Sequence, residues 1–219
     1  MTEIVPAIIG ENFLEVSKKI NQLEKLDGSV EWAQIDVMDG LFVPEYSWQS
    51  PAELEQLDGK LKLEAHLMLE EPENVLDDWL GTCDRVIVHL EATNKLTEII
   101  DKLDKLNQLE KRLAVAVLLQ TDLAKLAPLM GKIKNIQLMS IATIGHHGEP
   151  LDKKVYERIS FLRKEYPDVK ISVDGGVTLK NAEKLIKAGA DRLVIGSAIW
   201  KSKDISKAIQ TFNALRRQN

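Results

Sequence analysis

Short runs of aliphatic and β-branched residues alternate along this chain with longer segments in which apolar residues recur at helical spacing among Lys and Glu. Eight short runs read as strands, at residues 4–8, 32–35, 61–67, 85–89, 113–118, 136–139, 169–173 and 193–195. They are almost continuously apolar, which is the pattern of strands covered on both faces and not of strands with one wet face. The intervening segments, such as 12–26, 97–109, 152–166 and 179–188, read as amphipathic helices packed outside the strands. Eight strand-then-helix units within 219 residues predict an α/β fold, a single (β/α)8 barrel of the TIM type spanning 1–219, in preference to an open doubly wound sheet. No Pro, Gly or Ser-rich linker divides it.

Composition narrows the classes of partner. With 44% hydrophobic and 29% charged residues the chain suits one globular domain with a sizeable core. A net charge of -5 and a pI near 5.5, with basic residues scattered among acidic ones, leave no electrostatic footprint for nucleic acid. The first residues, MTEIVPAIIG, lack the basic start and apolar run of a secretory signal, and no apolar stretch approaches the roughly 18 residues of a membrane span. A cytoplasmic protein without a membrane partner is expected. The one cysteine, Cys83, has no internal disulfide partner and reads as a passive thiol.

In a barrel of this kind chemistry collects at the C-terminal ends of the strands, and those ends are polar here. Asp36 closes the second run and leads into Met38, Asp39 and Gly40; the third ends in His66 and Met68; the fourth in His89 and Glu91. Met139 and Ser140 follow the sixth, Asp174, Gly175 and Gly176 the seventh, and Gly196 and Ser197 the eighth. Convergent carboxylates are what acid/base chemistry requires, although Asp36 and Asp174 would also serve as caps of the turns behind them. The glycines of VDGG and IGSA place unshielded backbone N–H groups where this fold commonly holds phosphate, with Ser197 opening the next helix. Their structural alternative is simply to allow tight strand-to-helix turns. His89 and Glu91 read as a structural hydrogen-bonding pair, and Met38, Met68 and Met139 as packing over the barrel top.

The motifs QIDVMDGLFVP at 34–44, EAHLML at 64–69, VHLEA at 88–92, MS at 139–140, SVDGGV at 172–177 and AGADRLVIGSAIW at 188–200 resemble the ribulose-phosphate 3-epimerase family, in order and across nearly the whole chain. The resemblance implies a barrel of the ribulose-phosphate-binding type and an isomerase of the pentose phosphate pathway. Its reaction would interconvert D-ribulose 5-phosphate and D-xylulose 5-phosphate, or a related ketose phosphate, through an enediolate. It assigns the two acid/base roles to Asp36 and Asp174. It implies a divalent metal, zinc or similar, on Asp36, His66 and Asp174, and a phosphosugar held by His66, Met38, Met139, Gly148, Gly175, Gly176, Gly196 and Ser197. A homo-oligomer, dimer or hexamer, is the expected assembly, and the Tyr46-Ser47-Trp48 stretch would either pack on its own barrel or lie at such a contact.

The departures from the family pattern fall on the chemistry. Gln34 stands where a fourth metal ligand, a histidine, is expected, and a glutamine carbonyl is the weaker ligand for a zinc-like ion, so the metal is expected to bind weakly or to be absent. Ala7 replaces a substrate-contacting serine, Leu119 and Gln120 replace an Asn-Pro, and the loop after the sixth strand reads IATIGHHGEP, with His146 and His147 as candidate replacement ligands. Two functions of different class follow: an active phosphosugar epimerase, and a barrel that binds a phosphorylated ligand without epimerising it. A decarboxylase of the same broad group would carry a lysine within an Asp-x-Lys-x-x-Asp run, which Asp36-Val37-Met38-Asp39 does not.

Overall fold

A computed structural model describes residues 2–26, 28–145 and 148–215. Eight parallel strands close on themselves in sequence order: β1 (Glu3–Ile8), β2 (Trp32–Met38), β3 (Lys62–Met68), β4 (Arg85–His89), β5 (Leu113–Val117), β6 (Asn135–Met139), β7 (Lys170–Asp174) and β8 (Arg192–Ile195). The helices are α1 (Phe13–Glu24), α2 (Leu76–Thr82), α3 (Leu96–Lys105), α4 (Leu109–Arg112), α5 (Lys154–Glu165), α6 (Leu179–Ala188), α7 (Ser197–Trp200) and α8 (Ile205–Leu215). Outward-facing strand residues such as Ile35, Leu67, Val88 and Val173 are buried against the helices, together with Val16, Ile20 and Leu23 of α1 and Leu185 of α6. That double coverage explains the unbroken apolar runs.

Two connections differ from the expected helix. Between β2 and β3 the chain makes a 3-10 turn over Pro51–Gln56, and between β5 and β6 another over Leu123–Leu129. Pro128 sits inside the second and lacks the N–H that an α-turn would use. The segment 97–109 also divides, because Asn107 adopts a left-handed conformation at φ 54 between α3 and α4. Strand β2 runs three residues beyond the expected end at Ile35. The Ser47 hydroxyl donates to the carbonyl of Asp36 at 2.9 Å and accepts from the N–H of Met38 at 3.0 Å, so the returning chain extends the strand. Trp48 packs on its own barrel against Phe13 and Trp79, while Tyr46 is exposed.

Inside the barrel the side chains form layers of opposite character. At the N-terminal end Arg192 donates to Glu64 at 2.8 Å and to Glu3 at 2.6 Å, and the guanidinium groups of Arg192 and Arg85 lie over the Trp32 ring. In this plug each buried charge faces an opposite one. Small and aliphatic residues share the interior above it: Val5, Ala7 and Val194 on one side, Ile87, Ala114 and Ala116 on the other. In register with several of them toward the C-terminal end lies a polar layer of Gln34, Asp36, His66, His89, Gln137 and Asp174, all buried. Among the described residues no helix is long and apolar enough to cross a membrane.

Candidate active site

Strand register brings the polar layer together. Asp36 of β2 pairs with His66 of β3, and Met139 of β6 pairs with Asp174 of β7. Because strand side chains alternate, Gln34 and Asp36 both point inward, as do Gln137 and Met139. One ligand-type atom from each of Asp36, His66 and Asp174 lies within 4.8 Å of the other two, which makes this a cluster that could hold a metal ion.

The centre of that cluster belongs to the Gln34 amide. Its Nε2 donates to Asp36 Oδ1 at 2.7 Å and to Asp174 Oδ2 at 2.7 Å, and lies 3.2 Å from His66 Nδ1. Gln137 adds a second amide donor to Asp174 Oδ2 at 2.9 Å. The Oε1 atoms of both glutamines are buried and accept no hydrogen bond. Gln34 therefore crosslinks two carboxylates carried on the separate strands β2 and β7.

Electrostatics separates Asp174 from an ordinary surface acid. Burial, then the charge of Asp36, lifts Asp174 to about 7, against the opposing pull of His66 and the Gln34 hydrogen bond. For His66, burial alone would depress the imidazole, yet the hydrogen bond and charge of Asp36, with Asp174 and Glu64 behind it, raise it. His89 moves the other way: burial drops it to about 4, so it is neutral. Its Nε2 lies 2.8 Å from His66 Nε2, and its Nδ1 faces Glu91 Oε2 at 3.5 Å. Burial pushes Glu91 upward, but His89, Thr121 and the N–H of Leu118 hold it below the usual carboxylate range. Two Nε2 atoms at this distance share one proton. His89 Nδ1 makes no hydrogen bond, and with the Glu91 carboxylate its nearest charge at 3.5 Å an N–H is favoured there, so the His89 Nε2 accepts and the His66 Nε2 donates. That order leaves His66 Nδ1 facing the carboxylates.

One cavity opens over this floor. Asp36, His66 and Asp174 form its base; Ala7, Met68, Met139, Gly148, Gly175, Gly176, Gly196 and Ser197 are among its walls. Met38, expected in contact with a ligand, is instead packed at 1% exposure among Val43, Met68, Met139, Ile141 and Ile144 beneath the loop, and does not line the cavity. Gln34 is also absent from the wall, since it is fully buried below the carboxylates. Asp39 is structural: its carboxylate accepts the N–H groups of Leu41, Phe42 and Glu70. Gly176, at φ 62, is required by close approach, because a Cβ there would come within 2.3 Å of the Leu151 N. It seats the returning end of the strand-six loop, and Asp152 N–H completes the contact to the Ser140 carbonyl at 2.7 Å.

The loops after β5 and β6 are tied to each other and to α5. Leu119 is buried, and Gln120 donates to the carbonyl of Ala142 at 2.8 Å, tying the loop after β5 to the loop after β6. Arg158 of α5 reaches the carbonyls of Leu118, Leu119 and Thr121. His146 and His147 lie outside the described residues.

The sequence matches a sequence model of the ribulose-phosphate 3 epimerase family over residues 3–200. It is 30% identical to the chloroplastic ribulose-5-phosphate-3-epimerase of Arabidopsis thaliana, across 98% of this chain and 77% of that protein. It is likewise 30% identical to the ribulose-phosphate 3-epimerase of Bacillus subtilis, across 95% and 97%. In fold it superposes on 3-hexulose-6-phosphate synthase from Salmonella typhimurium with a TM-score of 0.71 at 16% identity, covering 99% of each chain.

Proposed function

The chain belongs to the ribulose-phosphate 3-epimerase family, and from that premise we propose that it interconverts D-ribulose 5-phosphate and D-xylulose 5-phosphate by moving a proton between Asp36 and Asp174. The observation that carries the reading is the pair itself. Two buried carboxyl groups, with facing oxygens within 4.8 Å, form the base of a cavity whose far wall is glycine backbone.

The steps need no oxidant or leaving group. With the ketose phosphate seated above the pair, one ionised carboxylate takes the proton from C3, and the electron pair moves into the enediolate. The other carboxyl group, protonated, returns its proton to C3 from the opposite face. Asp174, raised to about 7 by burial and by Asp36, is the member that carries the proton at the start in one direction. In the reverse direction the roles exchange. His66 lines the base of the cavity with its Nδ1 3.2 Å from Asp36 Oδ1, and its raised pKa supplies positive charge beside the developing oxyanion. Gly148, Gly175, Gly176, Gly196 and Ser197 offer backbone N–H groups for the phosphate, and the Lys201 ammonium lies 3.6 Å from the position a Cβ would take on Gly148.

The residues present are poorly matched to the divalent metal that the family implies. The two carboxylates, and His66 Nδ1 once it is neutral, would supply lone pairs, but the atom they surround is an amide nitrogen, which has hydrogens to give and no lone pair to offer. The set as arranged does not fit a metal, and no step above passes through one. We further propose a cytoplasmic homo-oligomer, its assembly to be checked by light scattering.

The test is to incubate the protein with D-ribulose 5-phosphate and follow D-xylulose 5-phosphate by NMR. Formation of an equilibrium mixture supports the reading. Binding measured by calorimetry with no product would favour the alternative, a phosphosugar-binding barrel without turnover, to which Ala7 and the altered loops point.

A further inference from the structure

We propose that the Gln34 side-chain amide takes the place of the metal ion, so that this epimerase works without one and residue 34 alone sets the difference. The inference rests on the epimerase reading for what the carboxylates do, but its geometric basis is independent of the reaction.

A tetrahedral ion bound by Asp36 Oδ1, His66 Nδ1 and Asp174 Oδ2 would sit about 2.0–2.2 Å from each. Gln34 Nε2 already lies at 2.7, 3.2 and 2.7 Å from Asp36 Oδ1, His66 Nδ1 and Asp174 Oδ2, so ion and amide cannot be accommodated together. Nor is the amide a passive occupant. Its two hydrogens match the two carboxylate oxygens at hydrogen-bonding distance, and His66 completes the set with its Nδ1 3.2 Å from Asp36. Turning the amide over would aim the Oε1 lone pairs at two carboxyl groups and move the N–H groups away from their acceptors. The observed orientation leaves Oε1 buried without a partner, and two short bonds to carboxylates outweigh that one unmet acceptor.

The replacement preserves the part of a metal's work that concerns the protein, namely holding the two acids at one spacing despite their mutual repulsion. A dication would do this by coordination. Here an amide does it by hydrogen bonds, with Gln137 reinforcing Asp174 from the neighbouring strand. The group facing substrate oxygen is then His66, oriented through its Nε2 by His89. Because Gln34 is fully buried and absent from the cavity wall, it is a positioning residue and touches no substrate.

The experiment measures metal content by mass spectrometry on protein purified without chelator and then equilibrated with zinc and dialysed, for the wild type, Gln34→His and Gln34→Glu. Epimerase activity before and after dipicolinate treatment is recorded on the same samples. Expected is wild-type protein with no bound zinc above the dialysis background and activity unchanged by chelator, against one zinc per chain in Gln34→His. Gln34→Glu, which supplies a carboxylate oxygen of nearly the same shape, should also take up zinc, and it decides the question if the histidine variant fails to fold by circular dichroism. Wild-type protein that retains one metal per chain would overturn the proposal. So would a metal-free wild type whose folded variants both remain metal-free, since the amide would then not be what excludes the ion. If the wild type proves inactive on D-ribulose 5-phosphate, the epimerase reading fails while the metal contents still decide the role of Gln34.

Discussion

Replacing Asp174 by asparagine should stabilise the protein while abolishing its chemistry, and the size of the gain can be worked from the site. Asp174 is 9% exposed, and its carboxyl group titrates near 7 in the folded chain against an ordinary 3.8. The folded state thus holds the proton more tightly than the unfolded state. By linkage, its contribution to stability is fully present below about pH 4, declines as the pH rises toward 7, and stays lost above that. About three pH units at about 1.4 kcal/mol each set a ceiling of about 4 kcal/mol on the loss. The substituted amide would carry no charge, and its Oδ1 would still accept from Gln34 and Gln137. An amide in place of a carboxylate weakens those two bonds by about 1 kcal/mol in all. A gain of about 2–3 kcal/mol is therefore expected at pH 8, or several degrees of Tm for a chain of this length, shrinking toward zero near pH 4. Activity should fall by about 100- to 10,000-fold. Scanning calorimetry at the two pH values, beside the kinetic assay, checks both signs. An asparagine variant less stable than wild type at pH 8, or one whose Tm difference is the same at both pH values, would refute the electrostatic reasoning.

Other consequences follow from the same geometry. The pH dependence of kcat/KM should show an alkaline limb near pH 7, where the carboxyl pair loses its one proton, and the matching step in the Tm profile should be absent from Asp174→Asn. His89→Phe removes the acceptor of the His66 Nε2–H at 2.8 Å, so kcat should fall about ten- to a hundred-fold with KM little changed, read from steady-state kinetics. Gly176→Ala forces a Cβ to 2.3 Å from the Leu151 N at a φ of 62, and should raise KM for the phosphorylated substrate while lowering Tm by the equivalent of about 1–3 kcal/mol. Arg158→Met leaves the carbonyls of Leu118, Leu119 and Thr121 without their shared donor, and a loss of about 2–3 kcal/mol by denaturant titration is expected.

Much of this fold is legible in the sequence because parallel strands sheathed on both faces must be apolar throughout, and eight such runs stand out against Lys- and Glu-rich helices. The boundaries slip where strand ends are polar. Asn135, Lys170 and Arg192 belong to strands but do not look apolar, and β2 is extended by Ser47, a contact from beyond the run that periodicity cannot see. The 3-10 connections are signalled only by Pro51 and Pro128. At the site, the strand-end acids and His66 can be named from sequence, since ends of barrel strands are where chemistry collects. Gln137 escapes such a reading because a glutamine inside NIQLM carries no motif. Counting two residues back from Met139 along the inward face finds it, as the same count from Asp36 finds Gln34. His89 and Glu91 read as a structural pair, and the contact from His89 to His66 emerges only from the packing of β3 against β4. Met38, expected to touch substrate, is buried under its own loop.

If one of Asp36 and Asp174 takes the C3 proton and the other delivers its own from the opposite face, that carbon must exchange its hydrogen with solvent. The most direct test is hydrogen exchange at C3 of D-ribulose 5-phosphate in deuterated water, followed by proton NMR, with wild-type and Asp174→Asn protein of verified fold. With the wild type, deuterium is predicted at C3 of both D-ribulose 5-phosphate and newly formed D-xylulose 5-phosphate, whereas Asp174→Asn forms no D-xylulose 5-phosphate. No incorporation with the wild type, or D-xylulose 5-phosphate formed at an equal rate by Asp174→Asn, would contradict the two-acid mechanism.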